Sequence, residues 1–143
     1  MRLNIGKGLA ELKRLKLAEL NDIYVAAMNG VDKVTGKQIY VNCIVAENTF
    51  KMNAGYNAAQ TLDAGIRLAA ELGAPVMNQI RDFHNGMHPN IPIEIARAIR
   101  VQQALHATTI WERKGQLKDL IDAATTVAEL KAVELTFPMV NVE

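Results

Sequence analysis

The chain has a single cysteine, Cys43, among 143 residues. One thiol excludes an internal disulfide and suits a reducing compartment. Aromatic residues are scarce, at 5%, while 50% of the chain is hydrophobic. A core is therefore expected, built from Ala, Leu and Ile. Neither sign of charge dominates, because 16 Lys and Arg stand against 15 Asp and Glu. Nucleic-acid binding draws much of its affinity from clustered cations, so no nucleic-acid partner is expected. No stretch reaches the roughly 18 consecutive apolar residues of a membrane helix, and no membrane partner is expected either. The opening MRLNIGKGLAEL lacks the apolar core of a signal peptide.

What is present is periodicity. It predicts an α+β fold, mostly α. An N-terminal helix comes first, then two small β-hairpins around a middle helix, then an antiparallel helical hairpin with a long helix. Residues 1–30 form a helical arm in this reading, 31–135 a small α+β domain, and 136–143 an apolar extended tail.

The first helix is predicted over 9–28, with Leu9, Leu12, Leu20, Ile23 and Ala27 on one face and a stop at Asn29-Gly30. Lys7, Lys13, Arg14 and Lys16 make its first turns basic. They read as a solvated face, or, for Lys13 and Lys16 in particular, as contacts to an acidic partner. Strands are predicted over 31–45, turning at Thr35-Gly36-Lys37, with Cys43 packed inside an apolar strand rather than serving as a nucleophile. A second helix is predicted over 48–72, ending at Gly73-Ala74-Pro75. Gly65, on its apolar face, would permit the close approach of another helix.

A second hairpin is predicted, with strands over 76–84 and 87–91 joined by Asn85-Gly86 in a type I′ turn. Asp82, His84 and His88 cluster there. Asp and His are ordinary zinc or iron ligands, so a small metal-dependent enzyme is one reading. A polar, solvent-exposed hairpin tip is the other, and it is preferred, because the spacing matches no helix-based metal motif. On that preference no metal, no cofactor and no catalytic residue is expected.

The long helix is predicted over 93–124, opened by Pro89 and Pro92. One stripe along it holds Ile95, Ile99, Gln102, His106, Ile110, Arg113, Leu117, Leu120, Ile121 and Ala124. Its ends are apolar and its middle is polar. Buried polar groups need partners, so Gln102, His106 and Arg113 are expected to pair within the chain or across a subunit contact. Both Leu117 and Leu120 are expected to be buried. Thr126 and Glu129 have the spacing of a capping box for a short final helix over 127–135. The tail TFPMVNVE carries Phe137, Met139 and Val140 and is expected to lie as an extended strand on this chain or on a partner.

Residues 105–133, LHATTIWERKGQLKDLIDAATTVAELKAV, carry a family resemblance. They resemble the C-terminal part of a small domain of unknown function that recurs in phage tail-fibre and tail-fibre-assembly proteins. The matching positions are His106, Trp111, Arg113, Leu117, Lys118, Ile121, Asp122, the run 123–126, Glu129, Leu130 and Val133. The order from Gly36 to Ile91 is consistent with that domain, although Tyr40 to Cys43 replaces its aspartate-rich turn and Pro92 replaces its usual Thr or Ser cap. The family has no established chemistry. The resemblance implies a non-enzymatic virion protein of the tail-fibre, baseplate or connector region. Such a protein would be made in the host bacterial cytoplasm and act as an oligomeric adaptor among other tail or fibre proteins. A transient tail-fibre assembly chaperone is the alternative.

Overall fold

The computed structural model describes residues 5–137 and 141–143. In chain order the elements are α1 (Ile5–Met28), β1 (Ile39–Val45), β2 (Asn48–Asn53), α2 (Tyr56–Glu71), β3 (Val76–Arg81), β4 (Met87–Pro92), α3 (Ile93–Ala123), α4 (Val127–Ala132) and β5 (Asn141–Val142). The fold is α+β and mostly α, with small antiparallel sheets, as the periodicity predicts.

α3 passes through every buried cluster. Its first turns bring Ile93, Ala96 and Ile99 against Val41, Cys43, Phe50 and Met52 of the β1–β2 hairpin, with Leu62 and Ala69 of α2 and Met77 and Ile80 of β3. Ile110 then meets Ala27 of α1 and Ile39 of β1. Leu117 and Ile121 close on Leu20 of α1 and Leu130 of α4. Going up α1 from Leu20 to Ala27 means going down α3 from Ile121 to Ile110, so the two helices run antiparallel.

α1 ends as Asn29-Gly30 predicts. Gly30 adopts φ +80, the Val31 amide donates to Ala26 O, and the Gly30 amide donates to Ala27 O. That is the double bond of a Schellman stop. The same residue touches Gly55 at the entry to α2, where a Cβ on Gly30 would sit 2.9 Å from Gly55 N. Two chain segments therefore cross with no room for a side chain.

The first hairpin differs from the prediction. Its strands are β1 and β2, turning at Ala46 and Glu47, both at positive φ (49 and 69). Residues 48–53 are thus strand, and the second helix begins only at Tyr56. The reason is alternation: Phe50 and Met52 point into the core opposite Cys43 and Val41, while Thr49 and Lys51 point away. Thr35-Gly36-Lys37 does turn the chain, but it closes only a single bridge between Val31 and Gln38.

Gly65 receives a strand residue rather than a helix. A Cβ there would lie 2.6 Å from Met77 Cε of β3. β5 adds to β1 in antiparallel register, Ile39 opposite Val142 and Tyr40 opposite Asn141, giving the order β2-β1-β5. The end of the tail is therefore a strand on the chain's own sheet. Among the described residues no helix is long and apolar enough to cross a membrane.

Candidate interaction surface

The polar middle of the α3 stripe is held largely within the chain. Gln102 Oε1 accepts from the Ile44 amide at 2.8 Å, and its Nε2 donates to Ile44 O at 2.7 Å. A primary amide offers one donor and one acceptor at the spacing of a peptide group. Gln102 thus takes the place of a neighbouring strand where β5 no longer covers the edge of β1. Arg113 Nε donates to Thr136 O at 2.9 Å, which fixes the chain just before Phe137. Phe137 is half-buried between the α1–α3–α4 cluster and the Ala27–Ile39–Ile110 cluster. Met139 and Val140, the other tail residues expected at an interface, lie outside the described residues.

His106 is different. Its Nε2 is buried and has no hydrogen-bond partner among the described residues. Burial holds its pKa below the ordinary imidazole value, because desolvation disfavours the charged ring. Three residues earlier, the buried Gln103 reaches Asn53 O at 3.5 Å through Nε2, while its Oε1 is unpartnered.

Lys13 and Lys16 of α1 also turn inward. Lys13 Nζ donates to Asp122 O at 2.8 Å, and Lys16 Nζ donates to Leu130 O at 2.6 Å. Both acceptors belong to last turns of helices, where the helix dipole favours a cation, and Leu130 O also accepts the Val133 amide at 3.2 Å. Thr126 caps α4 as the spacing predicts, its Oγ1 accepting from Glu129 N at 3.1 Å. Glu129 Oε2 reaches back to the Thr125 amide at 2.7 Å, one residue before the usual target.

Asp82, His84 and His88 are brought near one another but are organised as a turn. The loop between β3 and β4 is five residues long, with Asn85 at φ 63 and no positive φ at Gly86, so the type I′ turn does not form. Asp82 organises it instead. Its Oδ1 accepts from the amides of His84 at 2.9 Å and Gly86 at 2.8 Å, and its Oδ2 lies 2.8 Å from His88 Nε2. Burial pushes the Asp82 carboxyl up, but the bonds from His88 and these two amides outweigh it and hold the carboxyl below its ordinary value. His84 points elsewhere, to Lys51 Nζ at 3.3 Å and Glu143 Oε1 at 3.5 Å. Lys51 lies 4.0 Å over the Tyr40 ring and pairs with Glu143, which ties β5 to β2. Among the described residues no group of three His, Cys, Asp or Glu is placed to hold a metal ion.

Two further features bear on chemistry. Cys43 is fully buried and its thiol is pushed up to about 11 by desolvation, which keeps it protonated and inert. A cleft of about 340 Å³ opens between β2, α2 and β3, with Met52, Leu62, Met77 and Ile80 beneath Thr61 and Gln79. Asp82 and Asn85 at its end are engaged in the turn just described.

The feature that sequence reasoning missed is the outer face of α3. Val101 is 58% exposed, Leu105 61% and Trp111 63%, while Ile99, Ile110 and Leu117 on the opposite side are buried. Ala104 and Thr108 lie between them, Gly115 one turn beyond Trp111, and all three are also exposed. From Val101 to Trp111 the chain has no Asp, Glu, Lys or Arg. A helix packed on a domain usually presents charge to solvent; this one presents about three turns without any. The signal in the sequence is that missing charge, which lies alongside the stronger apolar periodicity of the inner stripe.

No family model, no curated protein and no solved structure matches the chain.

Proposed function

We propose that the chain is a non-enzymatic bacteriophage structural protein, resident in the tail-fibre, baseplate or connector region, acting as an oligomeric adaptor. The observation that carries the reading is the charge-free outer face of α3. Large exposed side chains in a contiguous row mark contact surfaces, and this row lies on the longest, most deeply anchored element of the fold. The phage context rests on the resemblance over residues 105–133. Two of the polar groups that could suggest chemistry have structural work instead: Asp82 orders a turn, and Gln102 closes a strand edge.

Mass spectrometry of purified particles of the encoding phage, with copy number referenced to the major capsid protein, tests this. A fixed copy number is the expected result, and its value would report the local symmetry. Absence from particles, with recovery from infected-cell lysate bound to fibre protein, would replace the adaptor by an assembly chaperone.

A further inference from the structure

We propose that the outer face of α3 pairs with the same face of a second copy of this chain, antiparallel, about a two-fold axis at Thr108. This rests on the preceding reading of that face as a contact surface and names its occupant.

The face is self-complementary about that point. Arg97, Val101, Ala104, Thr108, Trp111 and Gly115 follow one another at alternating steps of four and three along the exposed side, the seam spacing of paired helices. In an antiparallel pair centred on Thr108, residues equidistant from it lie level with each other, and those seven and eleven positions away also lie close to the middle of the face. Val101 then meets Gly115, where a Cβ would find nothing within 4 Å, so the Val side chain enters an open notch. Trp111, 63% exposed in the single chain, lies on one flank of the seam over the small Ala104 of the other copy. Thr108 meets its own copy. On the other flank Leu105 lies beside Glu112 of the other copy, its apolar carbons available to the Glu112 stem.

Charge agrees with shape. Arg97 and Asp119 are both exposed and form no ion pair among the described residues. They lie equidistant from Thr108, so Arg97 of each copy faces Asp119 of the other, one opposite-charge pair at each end of the apolar seam. A two-fold contact requires this kind of self-matching surface.

The test uses purified protein in three measurements. Sedimentation gives the association state, and the fluorescence of the only tryptophan reports its burial. The dimer is expected, with Trp111 emission moving to the red on dilution. Arg97→Asp and Asp119→Arg are each expected to weaken the dimer about tenfold, and the double variant to restore it. Thr108→Cys is expected to form a disulfide-linked dimer on oxidation, since its two copies meet at the axis. Gln116→Cys, also exposed but away from the axis, is expected not to. Cys43 is buried and does not interfere. A monomer at roughly millimolar concentration, where even the weakest specific pairs associate, would overturn the pairing. So would a dimer indifferent to charge reversal, or equal crosslinking of the two cysteine variants. These readouts need no phage particle. If the protein resides in particles yet stays monomeric in solution, the adaptor reading stands and the two-fold pairing falls.

Discussion

Gln102 grips Ile44 by both halves of its peptide group, donating at 2.7 Å and accepting at 2.8 Å. An edge strand with free amides and carbonyls is a template for unwanted pairing. Here a helix side chain covers that edge.

Gln102→Leu removes both bonds at once. The expected loss is about 1–3 kcal/mol, two net hydrogen bonds at ~0.5–1.5 each, read as a lower urea midpoint. The freed edge is also expected to raise aggregation at high concentration. Gln102→Glu keeps the acceptor but loses the donor, so it should fall between the two. A midpoint unchanged in Gln102→Leu would show that water serves the edge equally well.

Leu117 and Leu120 separate two fates that the inner stripe treated alike. Leu117 is 0% exposed and Leu120 is 52% exposed. Leu117→Ala is expected to cost ~2–5 kcal/mol, as buried leucines do. Leu120→Ala should change stability by less than about 0.5 kcal/mol, as exposed substitutions do. The expectation that both leucines are buried fails at Leu120, because that position lies off the line joining Leu117 to Ile121. Equal losses in chemical denaturation would contradict this assignment.

His106 supplies a pH dependence with a definite sign. Burial holds its folded pKa below the ordinary imidazole value of about 6.5, so the unfolded chain takes up the proton first. Stability is complete above that value and falls as pH drops toward the folded pKa. His106→Phe should flatten the loss between about pH 7.5 and about pH 5 that linkage predicts for the parent chain. Urea midpoints at both values would decide it, and a parallel fall in parent and variant would assign the acid sensitivity elsewhere.

Asp82 and His84 make a contrasting pair. Asp82→Ala removes the acceptor of two amides and of His88, which are exposed to half-buried, and about 1–2 kcal/mol of loss is expected, below the sum of three net hydrogen bonds because water reaches them. His84→Ala removes an exposed ring and should leave stability nearly unchanged. Zinc titration by calorimetry is expected to show no stoichiometric binding. Stoichiometric binding abolished by His84→Ala would restore the metal reading.

Much of this fold was legible in the sequence because the signals were local. Gly30 and Gly73 both sit at positive φ where each helix was predicted to stop, and Thr126 caps α4 from its own neighbourhood. β2 was lost because its turn, Ala46-Glu47, holds two non-glycine residues in a conformation that composition does not announce. The alternation of Phe50 and Met52 was there to be read, but it is short, and the helical pattern that follows runs into it. The partners of Lys13 and Lys16 lie on α3 and α4, more than a hundred residues along the chain. No periodicity reaches that far.

The antiparallel seat of α1 on α3 sets the order of events during synthesis. Leu20 finds Leu117 and Ile121 only after about a hundred more residues have been made, some 5–20 seconds at ~5–20 residues per second. Throughout that interval Leu20 lacks its partners on α3, although Ala27, near the other end of the same face, already has Ile39 of β1. α1 is thus made well before α3 but fully seated only with it, and whatever attends the nascent chain meets an open apolar stretch around Leu20 before the α1–α3 pair closes.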